Sequence, residues 1–273
     1  GSTVSREVRS RPLSLATFAL QHESWPDPKP FLIFNTVLHI VNGLLCFLLL
    51  ARLLRWFLPD RRQAEWLAGA VALVWAASPF LASANLIVVQ RMTGLSAFFT
   101  LLFLWVYLIA RGDYRPERIG ANLRLAIIAG AGTLLAGLAK ENGFLLPIFL
   151  LLIERLLLPG ARTGPAPLNR QFLILILVAP TLAILAYLGY RGLIPSGYEQ
   201  RDYNVIERLL TQTRVIFDYL RHLLLPLSTG MTPFHDSWQH SRGLLSPITT
   251  LFSLVGLAVM VGAAWLLRKS WPV

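Results

Sequence analysis

The chain has 273 residues, 55% of them hydrophobic and only 14% charged, and a mean hydropathy of +0.58. A soluble domain cannot bury that much apolar surface, so the composition selects a membrane protein. The net charge of +11 does not indicate nucleic acid, because the basic residues fall between apolar runs, as in loops that face the cytoplasm and anionic lipid.

Residues 1–15 are polar and basic with no apolar segment, so no signal peptide is expected. After Arg6, Arg9 and Arg11 comes the stretch Pro12 to Leu20. Pro12 suits a first helical turn, and Leu13, Phe18 and Leu20 predict a short helix bedded in the membrane surface. It stops at Trp25-Pro26-Asp27-Pro28. Apolar runs of spanning length, about 17–23 residues, follow near 31–51, 64–81, 93–110, 122–139, 143–159, 171–190 and 248–267. The expected fold is therefore an all-α, polytopic membrane protein of about seven spans. It divides into a first outer loop (1–30), a helical core (31–190), a large outer loop (191–247) and a last span with its tail (248–273). Cys46 is the only cysteine and lies in an apolar run, which excludes an intrachain disulfide or a cysteine metal site.

Short loops set the orientation. Arg52, Arg55, Arg61 and Arg62 follow the first span, but only Arg91 follows the second. Arg111, Arg115, Arg118 and Arg124 follow the third, but only Lys140 follows the fourth. Arg155, Arg162 and Arg170 come next, and Arg268 and Lys269 follow the last. The positive-inside rule puts the rich loops in the cytoplasm, so residues 1–30, Arg91, Lys140 and 191–247 share the outer side. A polar start on that side, without a signal peptide, implies a further span upstream of Gly1.

Several polar groups gather toward that outer side. Lys140 and Glu141 stand between two apolar runs at a tight turn, Ala139 to Gly143. Ionisable groups there are functional suspects, although a solvated loop would also carry them. Asn35, His39 and Asn42 recur at i, i+4 and i+7, one helical face. They serve either as hydrogen-bonding glue between helices or, for His39, as a substrate contact. Arg91 in Gln90-Arg91-Met92 either snorkels to headgroups or offers a bidentate fork to a phosphate, with Lys140 as a second, compact cation. In the loop 191–247, Asn204 to Leu225 reads as a surface amphipathic helix. Its i,i+4 charges suit a solvated face. His235 and Asp236, with His240 nearby, suit a sugar or a divalent metal. No GxSxG, GxxxxGK[ST], HExxH or CxxC occurs.

Four stretches in order carry a resemblance: Arg11-Pro12-Leu13-Ser14, Asn35-x3-His39-x2-Asn42, Gln90-Arg91 and Ala139-Lys140-Glu141. They resemble the GT-C membrane glycosyltransferases, in particular bacterial relatives of the tetratricopeptide-repeat transmembrane O-mannosyltransferases and the pilin glycosyltransferases. The resemblance implies a polyprenyl-phosphate sugar donor, a protein or glycan acceptor, and chemistry at the periplasmic face of a bacterial inner membrane. It implies donor-phosphate binding by Arg91 and Lys140, and catalytic roles for Glu141 and His39. Substrate contacts would come from Arg11, Asn35, Asn42, Gln90, His235 and Asp236. The family's usual aspartate base closes the first span, and no Asp precedes Asp27, which places that base upstream of Gly1. The repeats are absent too. A transporter or flippase for a lipid-linked or anionic substrate is the rival reading, and it would show repeated topology and helices broken near the midplane.

Overall fold

A computed structural model describes residues 11–81, 85–118, 120–193, 202–225 and 239–270, and every regular element among them is helical. The chain separates into two units, Gly1–Ile184 and Leu185–Val273.

The first unit begins with α1 (Pro12–Ala19), where Pro12 occupies a first-turn position whose missing N–H costs nothing. A short turn leads to α2 (Lys29–Leu54). Asp60 then caps α3 (Arg61–Ala76), accepting from the Arg62 N–H at 2.8 Å. A 3₁₀ turn, Val88–Gln90, introduces α4 (Arg91–Gly112). The following loop closes on Gly120, whose φ of +85° is the left-handed conformation that glycine adopts without strain. It opens α5 (Ala121–Ala139). A second 3₁₀ turn, Glu141–Leu145, leads into α6 (Leu146–Leu152), which widens into a π turn at Ile153–Leu157. Then α7 (Arg170–Leu173) widens in the same way at Ile174–Val178 and continues as α8 (Ala179–Leu193), which from Leu185 onward belongs to the second unit.

Four helical stretches are long and apolar enough to cross a membrane: Lys29–Leu54, Val88–Gly112, Ala121–Ala139 and Arg170–Tyr187. They point to a membrane protein. The other three apolar runs are also helical, and two of those helices, α3 and α6, are shorter. α3 starts at its Asp60 cap, ahead of the apolar run, and stops at Ala76 just before Ser78-Pro79, which leaves it 16 residues. The 3₁₀ turn before α6 and the π turn after it leave that helix seven residues, whereas the last helix runs 22 residues, Thr249–Ser270.

Side-chain placement fits an apolar surround. On α3 the small residues Ala64, Ala68 and Ala72 are buried, while Trp66, Leu73 and Val74 face outward. Small residues let backbones approach closely where there is no water to drive large ones inward. Accordingly α3 packs on α2, and α4 lies between α2 and α5. α1 lies against α5 and α4. At one end of α4 the core is Tyr107, Leu108, Leu125, Leu146 and Leu150. At the other, Leu38, Leu95 and Ala139 pack with Phe34, Phe98 and Phe99.

The second unit contains α9 (Val205–Leu224) and α10 (Thr249–Ser270), packed on each other. A reciprocal capping box between Asn204 and Glu207 starts α9. Its Thr211 accepts from the Ser241 N–H at 2.8 Å, and Arg214 donates to the Gln239 carbonyl at 2.9 Å. Ile206, Leu209, Leu223 and Leu224 remain exposed, as an amphipathic surface helix requires.

Candidate functional site

The site is organised by how α5 ends. Lys140 leaves the helix in an extended conformation, φ −160° and ψ 148°, and the chain at once tightens into the Glu141–Leu145 turn. Gly143 makes that reversal possible, because a Cβ there would overlap the backbone carbon and oxygen of Ala136. A Cβ on Gly137 would likewise strike the Phe144 ring. The turn is thus pressed onto the last turns of α5, and the two charges are held by backbone packing rather than by a free loop.

Each charge reaches back to a different part of the chain. Lys140 Nζ donates to Thr93 Oγ1 at 2.7 Å, and that hydroxyl donates to Gln90 Oε1 at 2.8 Å. Arg11 Nε donates to both oxygens of Glu141 at 3.0 Å, while its Nη1 approaches Met92 Sδ at 3.4 Å. Ser14 Oγ, buried, donates to the Ala139 carbonyl at 2.7 Å, fixing α1 over the end of α5. Burial and the nearby Arg11 charge push the Lys140 ammonium below the ordinary lysine range, and Glu141 partly offsets this.

Arg91 differs from its expected place. It is fully buried. Its Nε donates to Asn35 Oδ1 at 3.3 Å, its Nη1 to the Thr17 carbonyl at 3.1 Å, and its Nη2 to Gln21 Oε1 and the Phe31 carbonyl. The rings of Phe18 and Phe34 lie 4.5 and 4.3 Å from the guanidinium carbon, with Phe31 at 5.4 Å. A fork so occupied is not presented to a phosphate. It ties α1 and α2 to the start of α4.

The α2 stripe also turns inward. Asn35 Nδ2 donates to the Asn85 and Ile87 carbonyls at 3.4 and 3.3 Å, and Asn42 Nδ2 to the Gly94 carbonyl at 3.0 Å. These are interhelical hydrogen bonds. His39 Nε2 lies 2.9 Å from the Ala76 carbonyl, which only accepts, so this nitrogen carries the proton. The imidazole also stacks on Trp75 at 5.3 Å. Asn35, His39, Asn42, Arg91 and Thr93 line a cavity of about 80 Å³, room for a small group but not a sugar ring.

The four resembling stretches, up to 130 positions apart in the chain, therefore meet in one hydrogen-bonded cluster. Arg11, Gln90, Lys140 and Glu141 form its half-exposed part, and Asn35 and Arg91 its buried floor. His235 and Asp236 lie outside the described residues. Among the described residues no three His, Cys, Asp or Glu side chains come together to hold a metal ion.

The sequence reading overlooked a second charged cluster at the far end of α4. Arg111 donates to Glu154 from Nε at 2.6 Å and from Nη2 at 3.1 Å, and Tyr107 adds its hydroxyl to Glu154 Oε1 at 3.0 Å. Arg111 was counted there among loop arginines. Two signals were present: Tyr107 and Arg111 share a face at i and i+4, and Glu154 closes an apolar run. Comparison with protein-family models, with curated proteins and with solved structures finds no match.

Proposed function

We propose that this chain is a membrane glycosyltransferase of the GT-C kind. It would move a sugar from a polyprenyl-phosphate donor to a hydroxyl of a protein or glycan, at the periplasmic face of a bacterial inner membrane. In this reading all seven apolar runs span the membrane, α3 and α6 being the short ones. The observation that carries it is the convergence of Arg11, Gln90, Lys140 and Glu141 on one half-exposed patch at the end of α5.

The chemistry follows from charge. As the sugar–phosphate bond breaks, its electron pair passes to the phosphate oxygen of the lipid. Cations already in place stabilise that oxygen without reorganising. Lys140 has one of its three N–H groups on Thr93 and two left for an anion. Arg11, clamped by Glu141 through Nε, keeps Nη1 near Met92 at the same rim. Arg91 acts behind them, holding α1 in place. Glu141 then positions Arg11, and His39 shapes the small cavity behind Thr93.

The test is to incubate the protein in lipid nanodiscs with defined polyprenyl-phosphate sugars and measure release of the lipid phosphate. Release that falls at least a hundredfold in Lys140→Ala, about 2.7 kcal/mol of barrier, supports the reading. Release unchanged in that variant overturns the phosphate role. Movement of the intact donor across the bilayer with no release would instead favour a flippase.

A further inference from the structure

The second charged cluster borders a cavity of about 460 Å³. Its wall includes Arg111, Glu154, Arg155 and Arg162, with Leu158 and Leu173 as apolar lining. Arg111 is 1% exposed. Its Nε and Nη2 are engaged by Glu154, and Nη2 also by the Ala166 carbonyl at 3.1 Å. Its Nη1, with two N–H groups, is buried and has no acceptor. An orphaned donor on a charged group is unfavourable unless something supplies an oxygen.

Charge supplies the class of that oxygen. Glu154 neutralises one arginine, while Arg155 and Arg162 are exposed at the cavity rim, so the lining has three cations to one carboxylate. A buried planar guanidinium with one unpartnered nitrogen, flanked by two exposed arginines, is an arrangement suited to phosphate oxygens. The leucines beside it suit a group that continues into an apolar chain. The segments bearing Glu154 and Arg155 lie in the π turn Ile153–Leu157, a distortion often found at functional sites. Arg115, Arg118 and Arg170 belong to the same end of the bundle, the basic-rich one, where anionic headgroups collect.

We propose that this cavity binds a phosphate group carrying net negative charge, held by Arg111 Nη1 and by Arg155 and Arg162. The group comes from an anionic phospholipid or from a soluble phosphate. This site is separate from the transferase patch and requires no sugar chemistry, so neither proposal stands or falls with the other.

The experiment titrates the full chain in detergent with dioctanoyl-phosphatidylglycerol, dioctanoyl-phosphatidylcholine and inorganic phosphate, followed by native mass spectrometry and by thermal shift. The expected result is one saturable phosphatidylglycerol per chain, bound about tenfold or more tighter than the zwitterionic lipid. Arg155→Gln with Arg162→Gln should weaken it by about tenfold or more. The lipid-free melting temperature should hold, because both side chains are exposed. Arg111→Lys keeps the charge but removes the fork, and should weaken binding as well. If that variant fails to fold, the rim pair still decides. Displacement by inorganic phosphate at matching affinity would identify the soluble source. Equal binding of both lipids without competition by phosphate, or wild-type affinity in the rim variant, would overturn the site.

Discussion

Helix α4 buries an arginine at each end, Arg91 and Arg111, about 30 Å apart along the axis. The two are solvated by the protein in opposite ways. Arg111 faces a buried carboxylate and a tyrosine hydroxyl, so its charge is cancelled locally. Arg91 has no carboxylate among its hydrogen-bond acceptors, which are carbonyls and side-chain amides, and three aromatic rings surround it. Dipoles and ring faces stabilise a cation without cancelling it. The Arg91 end therefore keeps an excess of positive charge, Arg11, Arg91 and Lys140 against Glu141, in the cluster proposed to meet a lipid phosphate. At the Arg111 end the excess sits on the rim, while the ion pair locks α4 to the π turn after α6.

Removing Glu154 breaks this comparison most severely. Glu154→Ala leaves Arg111 charged, buried and without its carboxylate, and should cost about 3–5 kcal/mol. Replacing both partners, Arg111→Met with Glu154→Leu, should recover most of that loss. Thermal unfolding in detergent reads both, and a double variant as unstable as the single one would mean that the pair is not the source.

Arg91→Met should be milder, about 1.5–3 kcal/mol, because it strands neutral acceptors rather than an opposite charge. α1 should loosen from the bundle with it. Hydrogen exchange across Pro12–Ala19 that rises in Arg91→Met but not in Glu154→Ala would sharpen the distinction, and equal protection in both would erase it.

Gly143→Ala should cost about 1–3 kcal/mol by forcing the turn away from Ala136. It should also displace Lys140, so lipid-phosphate release falls by more than the loss of folded protein explains. Parallel melting and release measurements separate the two effects.

Lys140→Met should change stability least while abolishing release. Its depressed folded pKa means that burial of the charged form is penalised below that pKa. The penalty fades as pH rises through the folded value and is gone above the ordinary lysine value of the unfolded chain. The wild type should therefore gain stability relative to Lys140→Met across that alkaline window, whereas release fails on the same rise as the ammonium loses its proton. Melting temperatures of the two proteins that stay parallel from neutral to alkaline pH would show that Lys140 is not desolvated.

The helical architecture and the residues that meet at the end of α5 were largely readable in the sequence. Hydrophobic runs determine helices in lipid because unpaired backbone groups are too costly there. Charges interrupting such runs are conspicuous for the same reason, which is how Lys140, Glu141 and Arg91 came forward. Span length was less legible. The break at Ser78-Pro79 and the turns on either side of α6 shorten α3 and α6 through proline and turn geometry that hydropathy does not register. What each charge does was decided only in three dimensions. Arg91 and Arg111 look alike in sequence, each beside an apolar run. Their roles depend on which distant residues, Asn35 and Phe34 or Glu154 and Tyr107, the packing of neighbouring helices brings within hydrogen-bond or ring contact. Arg11 was placed by the resemblance alone, and its grip on Glu141 exists because α1 folds back over the end of α5. Composition and periodicity act locally along the chain, whereas the partner of a buried charge is set by contacts across it.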